Sequence, residues 1–376
     1  MDLQFFEQNH RMVADEVRRF AKKSITPIAD QEDDATERKM VQLLREADLF
    51  KYAVPVRLSG TAYRLDVRTL VAAREELAYA SGACDSIFAV QGLGSYPIFV
   101  GGTDEQRREY LKDAAHGTRI FAFALTEPEA GSDAGALTTT AVRDGSHYVV
   151  NGQKRFISNA GIADVYSVFV RTGEGRKGTS ALIIHAGTPG FTVKPRTAML
   201  AGHPIAELEF VNCRVPVSHR LGEEGAGLKI AYSTLDVFRA SVGAAAVGMG
   251  QRALDEGIAY AKKRKQFGAP LASLQGVQFL LADSHVELEA ARLLVHQAAA
   301  TKDGGAERIT LEAGRAKMFA TEAAQRIIDR CLQIHGGNGV TKGFAVERLY
   351  REIRALRIYE GATEVQKLVI ASALLA

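Results

Sequence analysis

The sequence predicts an α+β chain of three successive domains: helical over residues 1–119, antiparallel β over residues 120–223 and helical again over residues 224–376. Three observations support this class. Apolar residues recur at helical spacing up to about residue 116, short β-branched runs fill residues 121–221, and Ala- and Leu-rich helical patterning returns after residue 225. Because strands and helices do not alternate, a doubly wound dinucleotide-binding fold is not predicted.

The first zone carries helical signals that prolines separate. Phe6, Val17 and Phe20 lie at roughly helical spacing in the first segment. Thr103, followed by two acidic residues, predicts the start of a later helix, because threonine caps free N–H groups and acidic residues favour the positive end of the helix dipole. Pro97 is expected to separate that helix from the segment before it.

The middle zone is typical of strands, since its short runs are β-branched or aromatic and Gly, Asn or Asp separates them. The expected strands cover Leu137–Val142, His147–Val150, Val165–Val170 and Ala181–Ile184.

The third zone contains a long helix with one apolar face. Leu281, Leu288 and Val295 lie on that face, and Pro270 separates this helix from the preceding one. No internal repeat or low-complexity tail accompanies these zones, so the chain is expected to be helical, then β, then helical.

The composition is that of an ordinary globular protein and excludes several classes of function. The 376 residues are 47% hydrophobic and 24% charged, and the formal charge of +3 is too small and diffuse for a nucleic-acid-binding surface. No apolar run reaches the roughly 18 residues of a membrane span, and the N-terminus lacks a signal-peptide pattern. Three separated cysteines form no CxxC pair, so no metal site and a cytoplasmic location are expected.

One stretch of the middle zone carries the first chemical signal. Residues Phe123–Asp133 read FALTEPEAGSD, a strand that runs into a turn rich in small and hydroxyl residues. Such a turn leaves backbone N–H groups and hydroxyls free to bind pyrophosphate or flavin oxygens without a lysine. By contrast, residues 222–229 only look like a phosphate loop, because their lysine does not directly follow the last glycine. A flexible entry into a helix is expected there.

Four further motifs follow in order along the chain. They are NGQKRFISNA at residues 151–160, RKQFG at 264–268, QIHGGNG at 333–339 and IYEGATE at 358–364. Together with FALTEPEAGSD, they make the sequence resemble the acyl-CoA dehydrogenase family from near residue 3 to the C-terminus. The resemblance implies that family's fold, with a C-terminal domain like a four-helix bundle, and FAD as the cofactor.

The resemblance also implies a reaction. Members of the family remove two hydrogens across the α and β carbons of an acyl thioester: a glutamate takes the α-proton and the β-hydrogen passes as hydride to flavin N5. Glu360 matches that base, a role that requires a desolvated carboxylate. Some relatives carry the base on another helix, but here Phe238 occupies that position. Positions that contact the thioester in relatives are matched by Ser132, Asp236, Arg239 and Gly361.

The same resemblance implies two groups of contacts to the isoalloxazine ring. Phe156 stands in place of a usual tryptophan, and Ser158 in place of a threonine that often donates to N5. The wall on the pyrimidine side is matched by Phe123, Leu125, Thr126, Gly131 and Ser132.

Further FAD contacts are implied farther along the chain, and some of them cross a subunit boundary. A neighbouring subunit would supply Arg264, Phe267 and Gln275, so at least a dimer is implied, and family practice suggests a homotetramer. The adenosine end would meet Gln333, Gly336, Gly337, Thr363 and Glu364.

Four departures from the family pattern bear on the substrate. Residues 54–61 replace a Gly-Gly loop, residues 90–97 are Gly-rich where the acyl tail would end, residues 199–205 replace an arginine- and serine-containing loop, and Ala362 replaces a threonine that often binds FAD. A short or branched acyl-CoA is expected, with an electron-transfer flavoprotein as electron acceptor. Two alternatives stay open: the same oxidation on an acyl group tethered to a carrier protein, and a non-catalytic DNA-associated flavoprotein, although the latter's basic surface is missing.

Overall fold

The N-terminal part of the chain is helical, as predicted, and a short hairpin interrupts it. The computed structural model describes residues 5–57 and 63–376, so residues 58–61 of the loop that replaces a Gly-Gly turn lie outside the described residues. The elements of this part are α1 Gln8–Phe20, α2 Asp34–Glu46, β1 Val56–Arg57, β2 Tyr63–Arg64, α3 Val67–Ala80, α4 Gly82–Gly101 and α5 Asp104–His116.

One helix start was predicted correctly and one break was not. Thr103 accepts from the Gln106 N–H at 3.2 Å while the Gln106 side chain accepts from the Thr103 N–H at 2.8 Å, a capping box that confirms the start of α5. Pro97, expected to separate two segments, lies inside α4. The prediction was wrong because α4 is buried along most of its length, and that packing outweighs the one helical hydrogen bond that proline removes.

The middle part is built on one eight-stranded sheet. The strands are β3 Phe121–Ala124, β4 Thr140–Asp144, β5 His147–Ser158, β6 Val165–Arg171, β7 Thr179–His185, β8 Phe191–Arg196, β9 Ile205–Pro216 and β10 Arg220–Leu221. In space, β10, β7, β6, β4, β5, β9 and β8 follow one another, and β3 pairs with β6. The pairs β4–β5 and β6–β7 are antiparallel, as predicted.

Two details of this sheet differ from the prediction. β3 is parallel to β6, because the chain passes through the β4–β5 hairpin before it reaches β6, and that crossover is long enough for parallel pairing. β4 begins at Thr140 rather than at Leu137. The N–H groups of Thr138 and Thr139 donate to the Glu127 carboxylate and are therefore not available to a neighbouring strand.

The C-terminal part is helical, as predicted, and residues 222–226 lead into its first helix. The elements are α6 Gly227–Lys263, β11 Lys265–Gln266, β12 Ala269–Pro270, α7 Gln275–Asp303, α8 Thr310–His335, α9 Ala345–Leu356 and α10 Thr363–Leu375. The three long helices pack closely: a Cβ on Gly243 of α6 would lie 2.6 Å from Val295 of α7 and 3.3 Å from the Ala316 carbonyl of α8. Pro270 lies between α6 and α7, as expected.

Polar contacts join the sheet to the helices on either side. Arg196 at the end of β8 lies 2.6 Å from the Glu37 carboxylate of α2, and Arg351 of α9 donates to the Leu200 carbonyl at 3.3 Å. The loop between β8 and β9 is therefore held between two helices. Within the described ranges, none of the helices combines the length and apolar character that crossing a bilayer needs.

Candidate active site

The turn between α9 and α10 carries Glu360 in an unfavourable backbone conformation. The φ angle is +52° at Glu360 and +98° at Gly361. This left-handed region suits glycine but costs a residue with a Cβ about 1–2 kcal/mol, so surrounding contacts must hold the turn. A Cβ on Gly361 would lie 2.2 Å from Gln366 Nε2, so a larger residue there would displace the Gln366 side chain.

Three side chains donate to the carbonyls of this turn. Arg239 Nε from α6 donates to the Glu360 carbonyl at 2.8 Å, and Lys317 Nζ from α8 donates to the Gly361 carbonyl at 2.8 Å. Gln366 Nε2 from α10 donates to the Gly361 carbonyl at 3.2 Å. Three helices therefore fix the backbone from which the Glu360 side chain projects.

The Glu360 carboxylate combines shielding from solvent with a missing partner. Its Oε2 atom is buried and has no hydrogen-bond partner in the described part of the chain. Burial raises the pKa of the Glu360 carboxyl, and the cationic groups of Arg74, Arg239 and Lys317 offset this only in part. A carboxylate made more basic in this way has the property that a general base needs.

Lys317 is a site residue that the sequence analysis missed. Its side chain is fully buried, and burial lowers the pKa of its ammonium group to about 8, although the nearby Glu360 opposes the shift. A buried lysine requires a specific polar partner, and here that partner is the Gly361 carbonyl. The available signal was a lysine that lies between Ala316 and Ala320 on the buried face of α8.

A fully buried ion pair beside this turn was missed as well. Arg74 of α3 donates to both carboxylate oxygens of Asp85 of α4, at 2.9 and 2.8 Å, and to the Ser241 hydroxyl of α6 at 2.8 Å. The guanidinium charge favours the ionised forms of both Tyr359 and Glu360. Because the bidentate pair joins two helices, sequence spacing alone does not reveal it.

The predicted thioester contacts on α6 already have partners within the chain. Asp236 is buried, and its Oδ2 accepts from the Arg308 guanidinium and, at 2.9 Å, from the Thr310 hydroxyl. Its Oδ1 has no partner among the residues that the structure describes. Arg239 uses its Nε on the Glu360 carbonyl. Contact of either residue with the thioester stays a prediction.

The turn after β3 contains the residues that are predicted to form the flavin wall. Phe123 is half-buried and packs on Phe169 with ring centroids 4.8 Å apart, and Leu125 is buried. The Thr126 carbonyl accepts from the Arg155 N–H at 2.9 Å, which ties the turn to β5. Contact of these residues with a flavin stays a prediction.

A buried ion pair supports this turn. Lys154 Nζ of β5 donates to the Glu127 carboxylate at 2.7 Å and to the Leu125 carbonyl at 3.1 Å, and the Thr139 N–H donates to the same carboxylate at 3.0 Å. Burial pushes the pKa of Glu127 upward, but the Lys154 charge and these donors hold it at about 2. Burial lowers the pKa of Lys154 to about 8. The sequence analysis assigned neither residue a role.

Phe156 and Ser158 lie where β5 becomes irregular. The β5–β9 pairing shifts between Lys154 and Ile157, and Phe156 within this bulge has a φ of +56° and is 47% exposed. Because a bulge re-aims side chains, an aromatic ring is presented to solvent here. Ser158 ends the strand, and its hydroxyl lies 2.7 Å from Nε2 of His203 in the β8–β9 loop.

The residues expected to act across a subunit boundary lie between α6 and α7. Phe267, at the tip of the β11–β12 hairpin, is 94% exposed, and Gln275 begins α7. Arg264 lines an open groove of about 390 Å³ together with Gly336 and Gly337. Within a single chain, the structure thus places Arg264 in the same groove as Gly336 and Gly337, two of the predicted adenosine contacts.

The remaining predicted adenosine contacts lie elsewhere. Thr363 and Glu364 line a second groove of about 430 Å³, and the Thr363 hydroxyl donates to Glu322 at 2.6 Å. Gln333 is exposed near the end of α8 and lines neither groove. It stays a prediction that these residues bind one cofactor. It also stays a prediction that the exposed Ser132 contacts both the flavin and the thioester.

The residues present fit a flavin dinucleotide. Phe156 offers an exposed aromatic face, and a Cβ on Gly131 would meet nothing within 4 Å, so the outer wall is open to a ligand. The exposed Ser132 hydroxyl in the same turn suits the polar edge of a ring or a pyrophosphate. Nowhere in residues 5–57 and 63–376 do three or more metal-ligating side chains cluster.

Family comparison covers almost the whole chain. Residues 7–118 match the N-terminal domain of acyl-CoA dehydrogenases, residues 122–213 the middle domain and residues 225–375 the C-terminal domain. The chain therefore belongs to the acyl-CoA dehydrogenase family. It is an FAD-dependent oxidoreductase, and the fold class expected from the resemblance is confirmed.

Curated relatives align over nearly their full length. A 3-(aryl)acrylate reductase of Clostridium sporogenes is 42% identical over 99% of this chain and 100% of the relative. A short-chain specific acyl-CoA dehydrogenase of Clostridium acetobutylicum is 38% identical, covering 96% and 97%. The CarC subunit of the caffeyl-CoA reductase–Etf complex of Acetobacterium woodii is 38% identical, covering 99% of each chain.

Solved structures agree with the fold. Butyryl-CoA dehydrogenase from Megasphaera elsdenii has a TM-score of 0.93 and 34% identity and covers both chains completely. An acyl-CoA dehydrogenase from Bacillus anthracis in complex with FAD has a TM-score of 0.90 and 30% identity over 98% of this chain and 68% of that one. A prolyl acyl carrier protein oxidase has a TM-score of 0.90 and 29% identity, covering 98% and 99%.

Proposed function

We propose that this acyl-CoA dehydrogenase oxidises a short or branched acyl-CoA and that Glu360 is the base that takes the α-proton. The shielded, unpartnered Oε2 of Glu360 carries the proposal. A buried carboxylate without a partner is costly, and this one projects from a strained turn that Arg239 and Lys317 hold. Such a combination is typical of a functional site rather than of a structural contact.

The chain's own groups account for the proton part of the reaction. Glu360 Oε2 accepts the α-proton, and the electron pair of the broken C–H bond forms the new double bond between the α and β carbons. FAD, when bound, supplies the acceptor for the β-hydride. The Glu360 N–H, which has no protein acceptor within the described ranges, is free to donate to the thioester oxygen, where negative charge develops.

Aromatic packing near the turn supports a small acyl group. Phe238 precedes Arg239 on α6, and its ring meets Tyr96 edge-on with centroids 5.7 Å apart. A Cβ on Gly92 of α4 would lie 2.8 Å from the Phe238 ring, so α4 and α6 are in close contact at this point. The relatives named for short-chain and butyryl substrates agree with this size.

An electron-transfer flavoprotein is proposed as the electron acceptor. The support is the Acetobacterium woodii relative, whose name describes a subunit of a reductase–Etf complex and which aligns over 99% of this chain. Such a partner would collect the two electrons that the acyl group loses.

A homo-oligomer is proposed because α7 presents an apolar stripe to solvent, and the family resemblance suggests that it is a homotetramer. Phe279, Val286 and Leu293 follow one another at intervals of seven residues and are 59%, 67% and 51% exposed. An exposed stripe of this kind favours contact with another chain. With the exposed Phe267 nearby, a second copy would cover the stripe and complete the FAD site.

The test is an anaerobic titration of the purified yellow protein with butyryl-CoA, isobutyryl-CoA and 3-phenylpropionyl-CoA, with the flavin absorption band as readout. We expect bleaching by the short and branched thioesters. Bleaching by the aryl thioester alone would replace the proposed substrate by one like that of the 3-(aryl)acrylate reductase.

A carrier-protein thioester is the second candidate. The loop at residues 199–205 departs from the family pattern, and the prolyl acyl carrier protein oxidase has the same fold over nearly the whole chain. Absence of bleaching by every CoA thioester, with flavin that dithionite still reduces, would favour this candidate over the first. The same acyl groups on a phosphopantetheinylated carrier protein would then be titrated.

A further inference from the structure

His203 contacts the hydroxyl that is expected to face flavin N5. Its Nε2 atom lies 2.7 Å from Ser158 Oγ, a normal hydrogen-bond distance. His203 belongs to the 199–205 loop, which replaces the arginine- and serine-containing loop of the family pattern. The contact is therefore a feature of this chain rather than of the motifs that carry the resemblance.

Backbone hydrogen bonds anchor the histidine next to the serine. Asn159 follows Ser158 and Pro204 follows His203 in the chain, and the Asn159 N–H donates to the Pro204 carbonyl at 2.7 Å. The Thr197 N–H donates to the Ile205 carbonyl at 2.9 Å and closes the loop. With both neighbours held, the imidazole has a defined orientation toward the strand end.

The charge state of His203 limits what it can offer. Burial, and to a lesser extent Arg196, lowers the pKa of the imidazole to about 4, so the ring is neutral at physiological pH. A neutral imidazole has one N–H donor and one acceptor nitrogen, and Ser158 has a single hydroxyl proton. If Nε2 accepted that proton, none would remain for a ligand. If Nε2–H donates to Oγ, the hydroxyl proton is available on the other side.

We propose that His203 is a positioning residue of the flavin site: its Nε2–H donates to Ser158 Oγ and thereby directs the Ser158 hydroxyl proton toward the place of flavin N5. The inference rests on the proposed function, because it takes Ser158 as the N5 contact. It adds His203 as a residue that determines whether the Ser158 hydroxyl acts as a hydrogen-bond donor toward flavin N5.

The experiment measures the equilibrium between oxidised and reduced FAD in the holoenzyme by reductive titration against a redox dye, without substrate. His203→Leu removes the donor and should shift that equilibrium about tenfold, which is about 30 mV for a two-electron couple. His203→Gln places an amide N–H near the position of Nε2 and should stay within about twofold of the wild type. His203→Asn is the matched control: its amide reaches only the position of Nδ1, so it should behave like the leucine variant.

Ser158→Ala completes a double-mutant cycle with His203→Leu. The alanine variant should shift the equilibrium by a similar factor, and combining the two changes should add nothing. Additive shifts, or a shift with Ser158→Ala and none with His203→Leu, would overturn the positioning role while leaving Ser158 as the flavin contact. No shift with Ser158→Ala would instead remove Ser158 from N5. Should His203→Leu fail to retain FAD, the difference between the glutamine and asparagine variants decides the point.

Discussion

Two glutamates with shielded carboxylate oxygens, Glu127 after β3 and Glu360 in the α9–α10 turn, have pKa values displaced in opposite directions. Burial pushes both values upward. At Glu127 the Lys154 ammonium and the backbone donors reverse the effect and hold the pKa at about 2. At Glu360 the carboxylate has cations nearby but no hydrogen-bond partner for Oε2 within the described ranges, and the pKa stays raised.

The difference teaches that burial alone does not identify a catalytic carboxylate. Glu127 is ionised and fully engaged, so it supports the turn that would carry the flavin. Glu360 lies in a strained turn and keeps one carboxylate oxygen without a partner in the described part of the chain. That oxygen can take up a proton. Variants of the two regions test this contrast, because we expect loss of activity around Glu360 and loss of stability around Glu127.

The largest expected effect comes from Glu360→Gln. The amide keeps the size of the side chain but cannot accept the α-proton, so dehydrogenation should fall by roughly ten-thousand-fold while FAD stays bound. Glu105→Gln, on the exposed first turn of α5, is the matched control and should retain full activity. Substrate-induced bleaching of the flavin band at the normal rate in Glu360→Gln would contradict the assignment.

The next effect is on stability and comes from Lys154→Met. This change leaves the buried Glu127 carboxylate without its cation, and loss of one partner of a buried pair should cost about 3–5 kcal/mol of unfolding free energy. Chemical denaturation measures it. Arg214→Met breaks an exposed pair with Asp144 and should change the same quantity by less than about 1 kcal/mol. Equal losses in the two variants would refute the structural role of the Lys154–Glu127 pair.

Lys317→Met should have a smaller effect on activity with a diagnostic pH dependence. It removes the donor to the Gly361 carbonyl, which positions the base, so kcat should fall by roughly 10–100-fold. It also removes a cation that favours ionised Glu360. The pKa of the base should therefore rise further, and the acid limb of kcat/KM should move to higher pH. Lys39→Met, at an exposed position of α2, is the control. An acid limb that moves to lower pH would contradict this account.

The smallest effect is a slope in stability at acid pH. A carboxyl whose folded pKa lies below its unfolded value adds stability that is complete above the unfolded pKa and is lost as pH falls through the folded one. Glu127, lowered from 4.5 to about 2, should therefore weaken the fold progressively across that interval. Glu127→Gln should flatten this part of the stability profile. An unchanged slope in that variant would assign the acid sensitivity to other groups.

The sequence was enough to predict the order of helical, β and helical parts, because periodicity changes sharply near residues 121 and 225. It did not reveal the parallel β3–β6 pair or the passage of α4 through Pro97, since both depend on contacts between distant segments. The late start of β4 has the same origin: the amides before Thr140 are held by a carboxylate from another turn.

At the site, motifs predicted which residues contact ligands, but they did not reveal the residues that hold those predicted contacts in place. Glu360 and Phe156 lie in recognisable patterns, whereas Lys317, Arg74 and Lys154 act through partners on other elements. A buried charged side chain in an apolar surrounding is the physical sign of such a role, and burial is known only once the fold is known. The pairing of His203 with Ser158 likewise joins the end of β5 to a loop that lies 45 residues farther along the chain.

The most direct test of the account is an infrared titration of Glu360 in the FAD-bound enzyme, in which the spectrum of Glu360→Gln is subtracted from that of the wild type at each pH. We predict a protonated-carboxyl band that belongs to Glu360 and disappears as pH rises through a pKa above the ordinary 4.5. A Glu360 carboxyl already ionised at or below pH 4.5 would show that burial does not make it a stronger base and would contradict the central claim.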